Sequence, residues 1–154
     1  MAPNRERSMS LSLQSISPPQ PKPTILVVDD SPTMLRHLRL VLESDSYQVE
    51  TASGGAEAMR CMQGGCTPAV VVLDVRTPGM SGLKTLRSLL RLQPGLKVIM
   101  FSGVEDPVQM RRAVSLGAQV CLTKPVSHLY LSAAVQRCLG GDRSLASAAI
   151  AGAK

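Results

Sequence analysis

Aromatic residues are nearly absent from this sequence: there is no Trp, one Phe and two Tyr in 154 residues. That leaves no set of platforms on which single-stranded nucleic acid could stack. It also obliges any core to be aliphatic, because hydrophobic residues still make up 44% of the chain. No apolar run is long enough for the hydrophobic region of a signal peptide or for a membrane span. A cytoplasmic protein with reduced thiols, and no membrane partner, is therefore expected. The four cysteines are Cys61, Cys66, Cys121 and Cys138. Cys61 and Cys66 are separated by four residues with no matching Cys or His pair downstream, which argues against zinc. The nucleotide-cradling patterns Gly-x-Gly-x-x-Gly and the P-loop are missing as well. Acids are fewer than bases, 11 against 17, for a formal charge of +6. The basic residues are nonetheless scattered, Arg111-Arg112 being the densest pair of the folded part, and no recognition helix accompanies them. They read as a solvated surface, with no direct DNA binding expected.

A chain of this length holds one domain with a substantial core and not two full-sized ones. Residues 1–23, rich in Ser, Pro and Gln and ending Pro18-Pro19-Gln20-Pro21-Lys22-Pro23, read as a disordered arm. Arg5 and Arg7 among serines faintly resemble a transit peptide, but the charge is sparse and the prolines interrupt any amphipathic helix. Residues 140–154 follow a helix stop and read as a flexible tail. The folded unit is expected over residues 24–139, with no output domain after it.

Inside that unit apolar runs alternate with helical patterns. Thr24-Ile25-Leu26-Val27-Val28 reads as a buried strand ending in Asp29-Asp30, and Ser31-Pro32 then supplies a cap and a Pro at the first helical position. Met34, Leu35, Leu38, Val41 and Leu42 mark one face of the helix that follows. A short strand over Tyr47–Thr51 and a helix over Gly55–Met62 precede the most apolar stretch, Ala69-Val70-Val71-Val72-Leu73-Asp74. This run suits a central strand covered on both faces, stopped by Pro78 and Gly79. After Gly82 a helix carries Leu83, Leu86, Leu89 and Leu90. Then come a strand over Lys97–Phe101 ending at Ser102, a helix over Pro107–Leu116, and a strand over Gln119–Leu122. A last helix should turn Leu131, Ala134, Val135, Cys138 and Leu139 inward. Five strands alternating with five helices specify an α/β fold, a doubly wound parallel sheet.

If every strand is parallel, the strand ends converge on one edge, where such sheets bind ligands. Asp29, Asp30 and Asp74, the Ser102 hydroxyl and the Lys124 ammonium then share a crevice. Three carboxylates packed together repel, by about 4 kcal/mol per pair at 4 Å for an effective dielectric near 20. The site therefore calls for a cation, and an all-oxygen donor set with no His suits Mg2+.

Asp29-Asp30, the segment Asp74 to Gly82, Ser102-Gly103 and Lys124-Pro125 together resemble the receiver domain of two-component response regulators, here of the stand-alone single-domain type. The resemblance implies a flavodoxin-like fold with strand order 2-1-3-4-5. It implies that Asp74 accepts a phosphoryl group from a phosphohistidine, with Lys124 and Ser102 contacting the phosphoryl oxygens. It further implies that Asp30, Asp74 and the backbone carbonyl of Arg76 ligate Mg2+ directly and Asp29 through water, and that the Lys124-Pro125 bond is cis. Partners would be a histidine kinase or histidine phosphotransfer protein, packing on the first helix around Met34 to Leu38. An unknown target would sit on the last two helices and the strand between them, including Val108, Arg111, Arg112 and Tyr130. Such a protein is no enzyme beyond its own phosphorylation and dephosphorylation.

Two departures from the family's pattern are Cys121 and Thr77, and Arg76 also bears on the chemistry. Cys121 lies three residues before Lys124, where the family carries an aromatic that relays the signal, and a buried small thiol is the simpler reading of it than a redox group. Arg76, two residues after Asp74, places a cation where it can alter the lifetime of an acyl phosphate. Thr77, where an apolar residue is common, has no evident chemical consequence. Among rival classes, a haloacid-dehalogenase-type phosphatase needs its second acid at position 76, which is Arg. A degenerate receiver that docks partners regardless of phosphate remains the alternative, kept open by Cys121.

Overall fold

The computed structural model describes residues 18–76, 80–102 and 107–140. The residues expected to form most of the arm and nearly all of the tail, together with Thr77, Pro78, Gly79 and Gly103, lie outside that set. Five strands, β1 (Thr24–Val28), β2 (Gln48–Ala52), β3 (Val70–Asp74), β4 (Lys97–Ser102) and β5 (Val120–Thr123), alternate with five helices. The helices are α1 (Pro32–Ser44), α2 (Gly55–Gln63), α3 (Gly82–Leu92), α4 (Pro107–Leu116) and α5 (His128–Gly140). All pairings are parallel, in the order β2-β1-β3-β4-β5. This is the flavodoxin-like arrangement.

The two-residue period of the strands divides the aliphatic residues into two cores. Ile25, Val27, Val70, Val72, Ile99, Phe101, Val120 and Leu122 face α1 and α5, meeting Leu38, Leu42, Leu131 and Val135. Leu26, Val28, Val71, Leu73, Val98, Met100 and Cys121 face α2, α3 and α4, meeting Ala58, Leu86, Leu89, Met110 and Ala113. Because both faces are covered, β3 is buried at every position, which accounts for its unbroken apolar run.

Local chemistry sets where the helices begin. The Ser31 hydroxyl accepts from the Met34 N–H at 3.3 Å, and Pro32 opens α1. Ser81 does the same for Lys84 at the start of α3. Gly117 ends α4 at φ +119°, a conformation open to glycine without strain. Leu139 departs from expectation: it is 38% exposed, because the apolar side of α5 is completed by Leu131, Ala134, Val135 and Cys138. All four cysteines are free.

Asp45, closing α1, ties that helix to α5. Its carboxylate accepts from the Ser132 hydroxyl and lies 3.1 Å from His128 Nε2. The Ser132 hydrogen bond foremost, with His128 adding to it against a partial desolvation, holds the carboxyl below its ordinary value of 3.8. A carboxyl lowered by folding stabilises the native state above its unfolded pKa, and loses that contribution as pH falls through the folded value. Asp45→Ala should therefore cost about 1 kcal/mol at neutral pH. In urea titrations the gap from wild type should close as the pH is taken below the ordinary carboxyl value.

At Gly82 the first turn of α3 presses on the end of β3. Its N–H donates to the Val75 carbonyl at 2.9 Å. A Cβ there would lie 2.5 Å from Val75 Cα and 2.6 Å from the Asp74 carbonyl oxygen. Both contacts are backbone and cannot turn aside. Gly82→Ala should destabilise the fold by about 1–3 kcal/mol, read as a lower urea midpoint.

Candidate functional site

The parallel register brings the carboxyl ends of β1, β3, β4 and β5 to one edge. Asp29 and Asp30 directly follow β1, Asp74 is the last residue of β3, Ser102 the last of β4, and Lys124 directly follows β5. These are the side chains expected to converge.

Lys124 is the centre of the arrangement. Its Nζ donates to Asp29 Oδ2 at 2.8 Å and to Asp74 Oδ2 at 3.1 Å. The other oxygen of each acid is fixed from its own strand end: Asp29 Oδ1 accepts from the Ser31 N–H at 2.9 Å, and Asp74 Oδ1 from the Arg76 N–H at 3.0 Å. Asp29 and Asp74 are buried, whereas Asp30 is open to solvent, and one carboxylate oxygen from each of the three lies within 4.8 Å of the others. Asp29 and Asp74 are thus held from behind by backbone amides and bridged by one ammonium.

Electrostatics follow from that geometry. Burial raises the Asp74 carboxyl above its ordinary value, and the Asp29 charge adds to this, against hydrogen bonds from Arg76 and Lys124 that favour the carboxylate. For Lys124, burial works against the charged form, but hydrogen bonds to Asp29 and Asp74 outweigh it and the net shift is upward. The ammonium is held protonated, as the counter-ion to two buried acids.

The donor set fits a hard divalent cation. Three carboxylates converge, none is a soft ligand, and the partly exposed lysine already occupies the position of a counter-charge.

Ser102 is 5% exposed, and its carbonyl accepts the Lys124 N–H. Beside it a cavity of about 360 Å3 is bordered by Val75, Arg76, Gln109 and Arg112. The room for an added group lies on the side of the serine. The Lys124-Pro125 bond is cis.

Phe101 and the Ser31 amide carried no site role in the sequence. The ring of Phe101, buried in the α1/α5 core, lies under Lys124 with the ammonium 5.4 Å from its centroid. That the chain's one Phe falls at the end of β4 was the available signal. Cys121 is buried and directs its thiol to the Met110 carbonyl of α4 at 3.8 Å. Burial pushes that thiol up to about 11, so it is a packed small residue and not a reactive thiolate. Tyr130 stands on the outside of α5, 54% exposed.

A family model described as the response regulator receiver domain matches residues 25–136. The chain is 37% identical over 105 residues to the probable transcriptional regulatory protein TcrX of Mycobacterium tuberculosis, a match covering 68% of this chain and 44% of that protein. It is 30% identical over 116 residues to protein CcdB of Bacillus subtilis, covering 75% of this chain and 97% of that one. It therefore spans less than half of TcrX and nearly all of CcdB. Among solved structures, a receiver domain protein from Clostridium thermocellum matches with a TM-score of 0.74 and 33% identity, over 77% of this chain and 95% of that one. A CheY-like receiver domain protein from Methanospirillum hungatei JF-1 matches with a TM-score of 0.75 and 26% identity, over 79% and 96%. Sequence, topology and the converging strand ends agree: this chain belongs to the family of response regulator receiver domains.

Proposed function

We propose that the chain accepts a phosphoryl group on Asp74 from a phosphohistidine of a histidine kinase or histidine phosphotransfer protein, in the cytoplasm. The observation that carries this reading is the bridge from Lys124 to Asp29 and Asp74, with Asp30 alongside. A docking module has no physical need for three converging acids. A phosphoryl acceptor needs a carboxylate, a bound cation and a fixed ammonium.

A carboxylate oxygen of Asp74 attacks phosphorus, and the P–N bond to the donor imidazole breaks. Its electron pair stays on the imidazole nitrogen, leaving an acyl phosphate on Asp74. Asp30, Asp74 and the Arg76 carbonyl would hold Mg2+ directly, and Asp29 through a water. When bound, the ion supplies the positive charge that lets carboxylates and phosphoryl oxygens share one site. Lys124 passes from bridging two carboxylates to pairing with phosphoryl oxygen, and the Ser102 hydroxyl donates to another.

The donor would dock on α1. Met34, His37 and Leu38 border a cavity of about 100 Å3 against Pro125 and His128, next to Lys124. Output would use α4, β5 and α5, where Val108, Arg111, Arg112 and Tyr130 are exposed. Cys121 keeps a second reading in play, the docking module indifferent to phosphate, because no aromatic occupies its position to change rotamer.

Incubated with acetyl phosphate and Mg2+, the wild-type protein should gain one phosphoryl group in intact-mass spectra, and EDTA or Asp74→Ala should abolish the gain. A folded protein that takes up no phosphoryl group, from acetyl phosphate or from kinases, would leave the docking module standing. The decay rate of the adduct in Arg76→Ala measures what that side chain does.

Lys124→Ala removes the counter-ion of two buried acids. It should lower stability without Mg2+ by about 1–3 kcal/mol. Added Mg2+ should then raise the Tm of this variant more than that of the wild type, and the gain should vanish when Asp30→Asn is added.

A further inference from the structure

The charge of the chain is divided along its length. Through Asp74 there are six Lys and Arg and eight Asp and Glu, whereas after it there are eleven and three. Neither α3 nor α4 contains an acid. The fold sets these two helices side by side, with a groove of about 500 Å3 between them. Lys84 and Arg87 of α3 form one side, Arg112 of α4 the other, and Leu83 and Leu116 border it as well. At one end the groove meets the cavity beside Ser102, with which it shares Ser81, Leu83 and Arg112. Lys84, Arg87 and Arg112 are exposed, and among the described residues none of them has an acidic partner.

A solvated basic face ordinarily mixes signs, with Glu and Lys paired one turn apart. This one does not. Lys84 also breaks a local rule: three residues after the capping Ser81, where Glu or Gln would complete a capping box, it sets a cation at the positive end of the helix. Local rules broken without compensation mark places where something else is being served.

We infer that the α3/α4 groove is a binding site for an acidic segment of a partner protein. Lys84 and Arg87 are spaced three residues apart, about 4.5 Å along the helix axis. That matches carboxylates at the same spacing on a facing helix. Leu83 and Leu116 offer apolar contact, which a peptide can use and a phosphate backbone cannot. The groove contains no aromatic side chain on which a base could stack. Binding here needs no phosphoryl group on Asp74.

The test uses the full chain, unphosphorylated, and a fluorescent synthetic peptide with Glu at helical spacings of three and four and Leu between them. Anisotropy should show saturable binding that weakens with salt. The triple variant Lys84→Glu, Arg87→Glu, Arg112→Glu should bind at least about tenfold more weakly, three attractions having become repulsions. Arg36→Glu, Arg60→Glu, Arg137→Glu, equal in net charge but outside the groove, should stay within about threefold. The neutral set Lys84→Gln, Arg87→Gln, Arg112→Gln gives the same comparison should the reversed charges unfold the protein, which circular dichroism reports. Equal weakening in both triple variants would reduce the effect to net charge and overturn the site. So would absence of binding by the wild type, or a DNA duplex that displaces the peptide and binds through the same three residues more tightly.

Discussion

One ammonium holds the functional edge of this molecule together. Lys124 reaches Asp29 across 95 residues of sequence and Asp74 across 50. Without it two buried carboxylates would face each other with only backbone amides to offset their charge. The sheet supplies the geometry: β1 pairs with β3 from Ile25–Val70 to Val28–Leu73, and β3 with β4 up to Asp74–Phe101, so the three carboxylates come level. A shift of one residue in either pairing would turn Asp74 to the opposite face. The aliphatic cores on both sides fix that register, and so the core serves the site.

The order of elements was legible because each strand announces itself as an apolar run and each helix as a 3.6-residue pattern. β3 was the clearest case, since burial on two faces leaves only apolar residues in the run before Asp74. The acids and Lys124 could be grouped because parallel topology alone sends strand ends to one edge. What stayed hidden depended on contacts between distant residues. Nothing in the sequence of α5 reveals that Ser132 and His128 meet Asp45, 87 and 83 positions earlier. Leu139 looked inward by period and is not, because helix faces are decided by what packs against them. Gly82 looked like a loop residue. Its lack of a side chain is instead what lets α3 sit against the backbone that carries Asp74.

Cys121 shows the same limit from another direction. The sequence marks it as a departure, but not what the departure does. The small side chain lets β5 lie against α4, with the thiol turned to the Met110 carbonyl and away from solvent. A rearrangement around Ser102 would have to reach α4 through main chain and packing, since no ring is present at 121 to swing. α4 follows closely in the chain after Ser102, and its Gln109 and Arg112 border the same cavity. That route is shorter than one through β5, and it needs no aromatic.

The position of Arg112 joins these features. It borders the cavity beside Ser102 and also the groove against α3, so one side chain stands between the place where an anion would be added and the place where an acidic segment would lie. A guanidinium offers a planar fork of donors and can serve either, but it cannot saturate both at once. If a phosphoryl group on Asp74 drew Arg112 upward, the groove would lose one of its cations, and an acidic partner would bind less tightly to the phosphorylated form. Linkage makes this reciprocal: a partner that bound the unphosphorylated form better would oppose phosphorylation by the same factor. The chain would then carry two outputs of opposite sign, one surface made by phosphate and one weakened by it, with Arg112 as their shared term.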